Sequence, residues 1–225
     1  MLLAIDTSTA HTGIACYAAT GLLGECSWFS GRDHTVQLVP QIHMLLRHIG
    51  AGPTDVQALA VALGPGSWSG LRVGMSTAKG MALARDLPLI GVGTLDALVY
   101  QHYRPGMPVY PIIRLGRERF ATAAFPAPPA PPYVTPARNV TLAEIVSEVA
   151  GRTLFCGEID ADTRAALVGA LGSACVFPTP AASQRRPGFL AELAWLRWQA
   201  GDTDDRATLE PIYLGQPVKQ APAAP

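Results

Sequence analysis

Apolar residues in the first hundred positions fall into short runs broken by polar turns and glycines. Positions 2–6, 12–18 and 22–29 predict three strands joined by tight turns, each run being too short for a helix and bounded by turn formers. The period changes at His34. Leu38, Ile42, Leu45 and Ile49 recur at helical spacing, widened by Val39 and Leu46, which predicts a helix over 34–49 with Asp33 as its cap. Pro40 then requires a kink or a frayed first turn. Gly52-Pro53 ends that helix. A strand at 56–63, a helix at about 67–86, a strand at 89–92 and a helix at 94–102 capped by Thr94 follow.

Arg104-Pro105-Gly106-Met107-Pro108 reads as a hinge, and 109–114 with 119–125 as a hairpin. The stretch 126–136 holds six prolines and reads as a stiff connection without regular structure. Helices at 141–150, 160–171 and 188–200 alternate with strands at 153–156 and 174–177. Thr141-x-x-Glu144 has the form of a capping box, so the sequon beginning at Asn139 carries no weight. Alternating strands and helices predict an α/β protein in two units, 1–103 and a smaller 104–225 containing the proline-rich loop.

Composition narrows the classes. With 225 residues, 49% of them hydrophobic, the chain can bury a substantial core. A net charge of zero argues against a nucleic-acid binder that relies on a broad basic surface. The chain opens directly on Leu2-Leu3-Ala4-Ile5-Asp6 without a basic leader or a long apolar stretch, so a cytoplasmic protein without a membrane span is expected. Cys16, Cys26, Cys156 and Cys175 are widely spaced and read as reduced core thiols.

Three places carry candidate chemistry. Asp6-Thr7-Ser8-Thr9, at a turn between strands, could surround a phosphate or a hydrated metal ion, and the same residues also build Asx-type turns. Arg114, Arg117 and Arg119 cluster at the predicted hairpin, where phosphate, RNA, an acidic partner or plain solvent would each suit them. The histidines His11, His34, His43, His48 and His102 offer no i, i+4 ligand pair. Asp33-His34 reads as a helix start.

The third place is Gly64-Pro65-Gly66-Ser67-Trp68-Ser69-Gly70-Leu71-Arg72-Val73-Gly74, which runs from a strand through a turn into a helix. Such a turn presents backbone N–H groups to an anion. Gly66, Gly70, Gly74, Ala78 and Ala82 then recur every four residues. Glycine within a helix costs about 0.5–1 kcal/mol relative to alanine, so the series calls for close approach of another backbone. That backbone is either the protein's own sheet or a partner helix, and the pattern alone does not choose.

These motifs resemble the bacterial TsaB (YeaZ) family. The resemblance rests on Asp6-Thr7-Ser8-Thr9, on His34 with Leu38-Val39-Pro40, and above all on the long glycine motif. It continues through Thr77-Ala78-Lys79-Gly80, Pro88-Leu89-Ile90-Gly91-Val92 and Pro211-Ile212-Tyr213-Leu214. It implies an actin-like, Hsp70-like (ASKHA) fold of two subdomains and a role in making N6-threonylcarbamoyladenosine at position 37 of tRNA. It implies a non-catalytic subunit that pairs with its paralogue TsaD, is joined by the ATPase TsaE, meets tRNA only through that complex, and forms homodimers through the same surface. No cofactor is implied. In TsaD the strand after the glycine helix leads to two metal-binding histidines. Here Gly93-Thr94-Leu95-Asp96-Ala97-Leu98 places Thr94 and Leu98 at those positions, and neither replaces imidazole. One departure is Arg114-Leu115-Gly116-Arg117, where many members begin with aspartate.

The small-residue seam is accordingly expected to face another helix. The predicted partner surface comprises His34, Leu38, Gln41 and Leu45 of the first helix with Ser67, Gly70, Leu71, Gly74, Met75, Ala78 and Ala82 of the second. Asp6, Thr7, Ser8 and Thr9 remain the candidate nucleotide or phosphate residues. The competing functions are an independent ATPase or kinase using the Asp6 turn, and a metalloprotease-like activity that the missing histidines disfavour.

Overall fold

Leu2, Leu3, Ala4 and Ile5 are all fully buried, a state open only to a central strand covered on both faces. The computed structural model, which describes residues 1–116, 118–123, 125 and 136–214, places them at the middle of a five-stranded sheet. In chain order the elements are β1 (Leu2–Asp6), β2 (His11–Ala18), β3 (Gly21–Phe29), α1 (His34–His48), β4 (Ala58–Gly64), α2 (Trp68–Arg85), β5 (Leu89–Gly93) and α3 (Thr94–His102). They continue with β6 (Val109–Gly116), β7 (Arg119–Thr122), β8 (Arg138–Val140), α4 (Leu142–Glu148), β9 (Thr153–Gly157), α5 (Ala161–Leu171), β10 (Cys175–Val176) and α6 (Pro187–Gln199).

The first sheet has the order β3-β2-β1-β4-β5, with β1 antiparallel to β2 and parallel to β4. Strand alternation divides its side chains. Leu3, Ile5, Leu59 and Val61 meet Leu38, Ile42, Leu45 and Leu46 of α1 and Met75, Ala78 and Ala82 of α2. Leu2, Ala4, Ala58 and Ala60 meet Leu190, Ala191, Leu193 and Ala194 of α6 on the opposite face. The second sheet, ordered β10-β9-β6-β7-β8, packs α3 through Leu95, Leu98 and Val99 on one face. Ile145 of α4 and Leu167 of α5 cover the other.

Local signals did most of this work. Thr141 and Glu144 form the expected capping box, and Asp160 caps α5 by accepting from the Thr163 N–H at 2.8 Å. Four expectations are corrected. Asp33 stands at the start of α1 but makes no side-chain cap bond. Thr94 is the first helical residue of α3, with Gly93 in the cap position. The predicted second hairpin strand ends early at Thr122, and the three-residue β8 pairs beside it. Lastly, α6 lies on the first sheet, so the chain returns across the division drawn at 103/104. The proline-rich stretch lies, except for Pro136, outside the described residues.

The small-residue seam also faces inward, contrary to the partner-helix expectation. A methyl group at Gly66 would fall inside the van der Waals shell of the Ser8 carbonyl oxygen, and one at Gly70 inside that of the Thr7 carbonyl. At Gly74 it would strike the Thr7 hydroxyl. The glycines therefore let the end of β1 and the turn after it lie directly against α2. Gly70→Ala is expected to destabilise the fold by about 3 kcal/mol through this overlap. Gly80→Ala, with no atom near the added methyl, should instead stabilise it by about 0.5–1 kcal/mol. Urea unfolding of the two variants measures both signs.

Candidate functional site

The Asp6 turn sits at the C-terminal end of β1, where it is walled by α2 and by the chain entering α6. Asp6 Oδ1 accepts from the backbone N–H of Ser8 at 2.9 Å and from the Ser8 hydroxyl at 2.6 Å. Its Oδ2 lies 3.1 Å from Nη2 of Arg185, with the two side chains only 9% and 14% exposed. The same Nη2 donates to the Thr9 hydroxyl at 3.0 Å, and the Thr7 hydroxyl donates to the Gly70 carbonyl at 2.7 Å. Asp6 is thus ion-paired and hydrogen-bonded within the protein, and a hydrated cation would have to displace Arg185 to reach it. Arg185 was not foreseen; 179 residues separate it from Asp6, and no local pattern marks it.

Beside this turn, the Ser30 hydroxyl donates to Thr12 Oγ1 at 2.7 Å, and Thr12 Oγ1 lies 2.7 Å from His34 Nδ1. The Thr12 oxygen is therefore shared between Ser30 and His34, and which partner holds the proton of the Thr12–His34 bond follows the imidazole tautomer. Burial lowers the His34 pKa from its ordinary 6.5, against the opposing pull of Asp6 and Asp33. His34 fastens the start of α1 to β2; it is not a surface residue.

The other residues expected at a partner surface follow the same pattern. Leu38, Leu45, Gly70, Leu71, Gly74, Met75, Ala78 and Ala82 are buried in this chain's own core, and only Gln41 and Ser67 are partly exposed. The helices themselves do lie side by side on one face of the sheet. Their outer faces carry Val36, Val39 and Met44 on α1 and Trp68 and Leu83 on α2, each between 48% and 69% exposed. The spacing 36, 39 and 44 is one side of a helix, as is 68 and 83. The tail secures one end: Tyr213 stacks on Trp68 at 4.2 Å between centroids, while Arg72 lies 3.9 Å over the indole.

Thr94 and Leu98 are both buried at the start of α3. Among the described residues no group of three or more His, Cys, Asp or Glu side chains is placed to hold a metal ion, and no helix is long and apolar enough to cross a membrane. Arg114 is paired, at 2.5 Å from Asp160 and 3.0 Å from the Thr163 hydroxyl, while Arg119 donates to the Asn139 side chain at 2.7 Å. Arg117 lies outside the described residues. Cys16, Cys26, Cys156 and Cys175 are free thiols, Cys16 and Cys156 buried and the other two half-buried, and burial pushes Cys16 up to about 11.

Two mixed five-stranded sheets, each clad with helices and meeting across a cleft at the end of β1, define an actin-like, Hsp70-like α/β protein. A solved YeaZ structure from Pseudomonas aeruginosa has this arrangement, with a TM-score of 0.77 over 95% of this chain and 99% of that one at 19% identity. The family model described as "TsaD: tRNA N6-adenosine threonylcarbamoyltransferase" matches residues 28–125. The tRNA threonylcarbamoyladenosine biosynthesis protein TsaB of Bacillus subtilis is 30% identical over 95% of this chain and 93% of its own. The TsaB of Escherichia coli is 37% identical over 46% of this chain and 44% of its own. The chain belongs to the TsaB family.

Buried histidines give the fold a signature in pH. His102 at the end of α3 is 4% exposed, and burial, aided by Arg104, lowers its pKa from 6.5 to about 4. A histidine with a depressed folded pKa takes up its proton more readily when unfolded. Its stabilising effect is complete above pH 6.5 and is lost as pH falls toward about 4, amounting to about 3 kcal/mol. Denaturant unfolding from pH 7 to 4 should show this decline, with His34 adding to it, and His102→Leu should flatten the His102 part.

Proposed function

We propose that this protein is the non-catalytic partner of a TsaD-type threonylcarbamoyltransferase in forming N6-threonylcarbamoyladenosine on tRNA. The observation that carries the reading is full-length similarity to a TsaB named for that biosynthesis. Two features of the chain support the accessory role. Thr94 and Leu98 stand where the resemblance puts the paralogue's metal-binding histidines, and neither side chain supplies an imidazole donor. Asp6, the carboxylate that an ATPase or kinase would use at its phosphate turn, is occupied by Arg185 and Ser8.

The partner surface in this reading is the outer side of α1 and α2, not the seam between α2 and the sheet. Val36, Val39, Met44 and Leu83 supply exposed apolar area, and Trp68 supplies an anchor of the kind that dominates interface energetics. A second copy of the chain uses the same face in a homodimer, and the TsaD-type paralogue competes for it. TsaE joins the pair, and tRNA is met through the assembly.

Purified with the paralogue, TsaE and a TsaC-type enzyme that supplies the activated threonylcarbamoyl group, the chain should support modification of tRNA. Alone it should support none. Threonylcarbamoyl transfer by this chain without the paralogue would overturn the accessory role. Val39→Glu and Leu83→Glu should weaken both self-association and pairing by about tenfold or more while leaving the unfolding midpoint nearly unchanged. Sedimentation analysis checks the pairing, and unchanged association in both variants would place the interface elsewhere.

A further inference from the structure

The pair α1 and α2 carries charge of one sign. Together they hold Arg47, Arg72, Lys79 and Arg85 and no aspartate or glutamate, in a chain whose acids and bases balance at 17 each. Acids stand only at the ends: Asp33 precedes α1, and Asp86, which follows α2, lies 2.7 Å from Arg206. Elsewhere Arg114, Arg138, Arg185, Arg186 and Arg197 each meet a carboxylate, while among the described residues none of the four helix cations does. Arg85 is occupied by the carbonyls of Pro53, Thr54 and Val56. Arg72 lies over Trp68 and donates to the Tyr213 hydroxyl, and Lys79 donates to the Ala207 carbonyl at 3.3 Å. Those are neutral partners. Arg47 is exposed on the side of α1 that carries Val36, Val39 and Met44, with no side-chain bond to any described residue. The helix dipole favours a base at the end of α1, but it equally favours acids in the first turns, and both helices lack them.

We propose that this face chooses its partner by charge, taking a protein surface that is apolar at its centre and rimmed by aspartate and glutamate. The proposal rests on the reading of α1 and α2 as the partner surface. Two copies of the chain meeting through this face bring Arg47, Arg72 and Lys79 of one toward the same cations of the other, and like charges oppose that pairing. An acidic face on the TsaD-type paralogue turns the same three residues into attractive contacts. Self-association is thereby held weak, and the paralogue displaces it. RNA would also meet the cations, but Val36, Val39 and Leu83 among them offer nothing to a phosphate backbone, whereas an apolar centre with a charged rim is the anatomy of a protein interface.

Sedimentation of the full chain, alone and with the paralogue, tests this at about 0.1 M and about 1 M sodium chloride, where screening lengths are about 10 Å and about 3 Å. Added salt should tighten self-association and loosen pairing with the paralogue, each by about tenfold. The double variant Arg47→Gln with Lys79→Gln should reproduce both changes at low salt and flatten both salt responses. The proposal is overturned if salt moves the two equilibria in the same direction or if the double variant leaves either one unchanged. It is also overturned if the chain alone binds unmodified tRNA and the double variant loses that binding, which would assign the cations to RNA. Val39→Glu keeps the two readings apart. Intact pairing with the paralogue in that variant would mean that the partner surface itself lies elsewhere. Lost pairing in Val39→Glu, with no effect of salt or of the double variant, would leave the surface standing and remove only the selection by charge.

Discussion

Contact between the backbone after β1 and the glycine face of α2 is the constraint on which the rest of the fold depends. The carbonyls of Thr7 and Ser8 approach the helix so closely that even a methyl group is excluded at Gly66 and Gly70. The approach is fixed by polar bonds as well as by lack of bulk: the Thr7 hydroxyl donates to the Gly70 carbonyl, and the Ser67 backbone N–H donates to the Ser8 carbonyl at 2.6 Å. Because β1 is the central strand, the position of α2 against it sets where α1 lies on the same face and where the turn opens toward the second sheet. A helix interior that tolerates glycine only at a cost accepts it here because backbone contact replaces side-chain packing.

The second tie is electrostatic and joins distant parts of the chain. Arg185, just before α6, neutralises Asp6 at the end of β1, and the neighbouring Arg186 lies 2.6 Å from Glu25 of β3. These pairs bring α6 back to the first sheet after the chain has built the second. Removing one partner of the nearly enclosed Asp6–Arg185 pair would leave a buried charge unmatched, which is far more costly than the exposed pairs elsewhere. The same pair also separates this turn from one free to bind a hydrated cation.

Much of this was legible in the sequence, for identifiable reasons. The strands of the first sheet, α1, α2 and the Thr141–Glu144 box rest on local periodicity and capping, which act within a few residues. The series Gly66, Gly70 and Gly74 announced a close backbone approach but not its partner, because a helix face pressed on its own sheet and one pressed on another protein require the same small residues. The helices α1 and α2 do lie side by side, while the residues named on them, apart from Gln41 and Ser67, are buried in the chain's own core. β8, three residues long, depends on pairing with β7, and the address of α6 depends on contacts with strands about 170 residues earlier. Arg185 carried no signal for the same reason.

With the inner faces of α1 and α2 committed to the core, the proposed partner surface falls to Val36, Val39, Met44, Trp68 and Leu83. Hydroxyl-radical footprinting separates the two faces directly, because methionine and tryptophan label readily when exposed. In the free protein at low concentration, Met44 and Trp68 should label strongly and Met75, 5% exposed, should not. On adding the TsaD-type paralogue, Met44 and Trp68 should become protected. Labelling of Met75 in the free chain, or Met44 and Trp68 unchanged in the complex, would contradict the account.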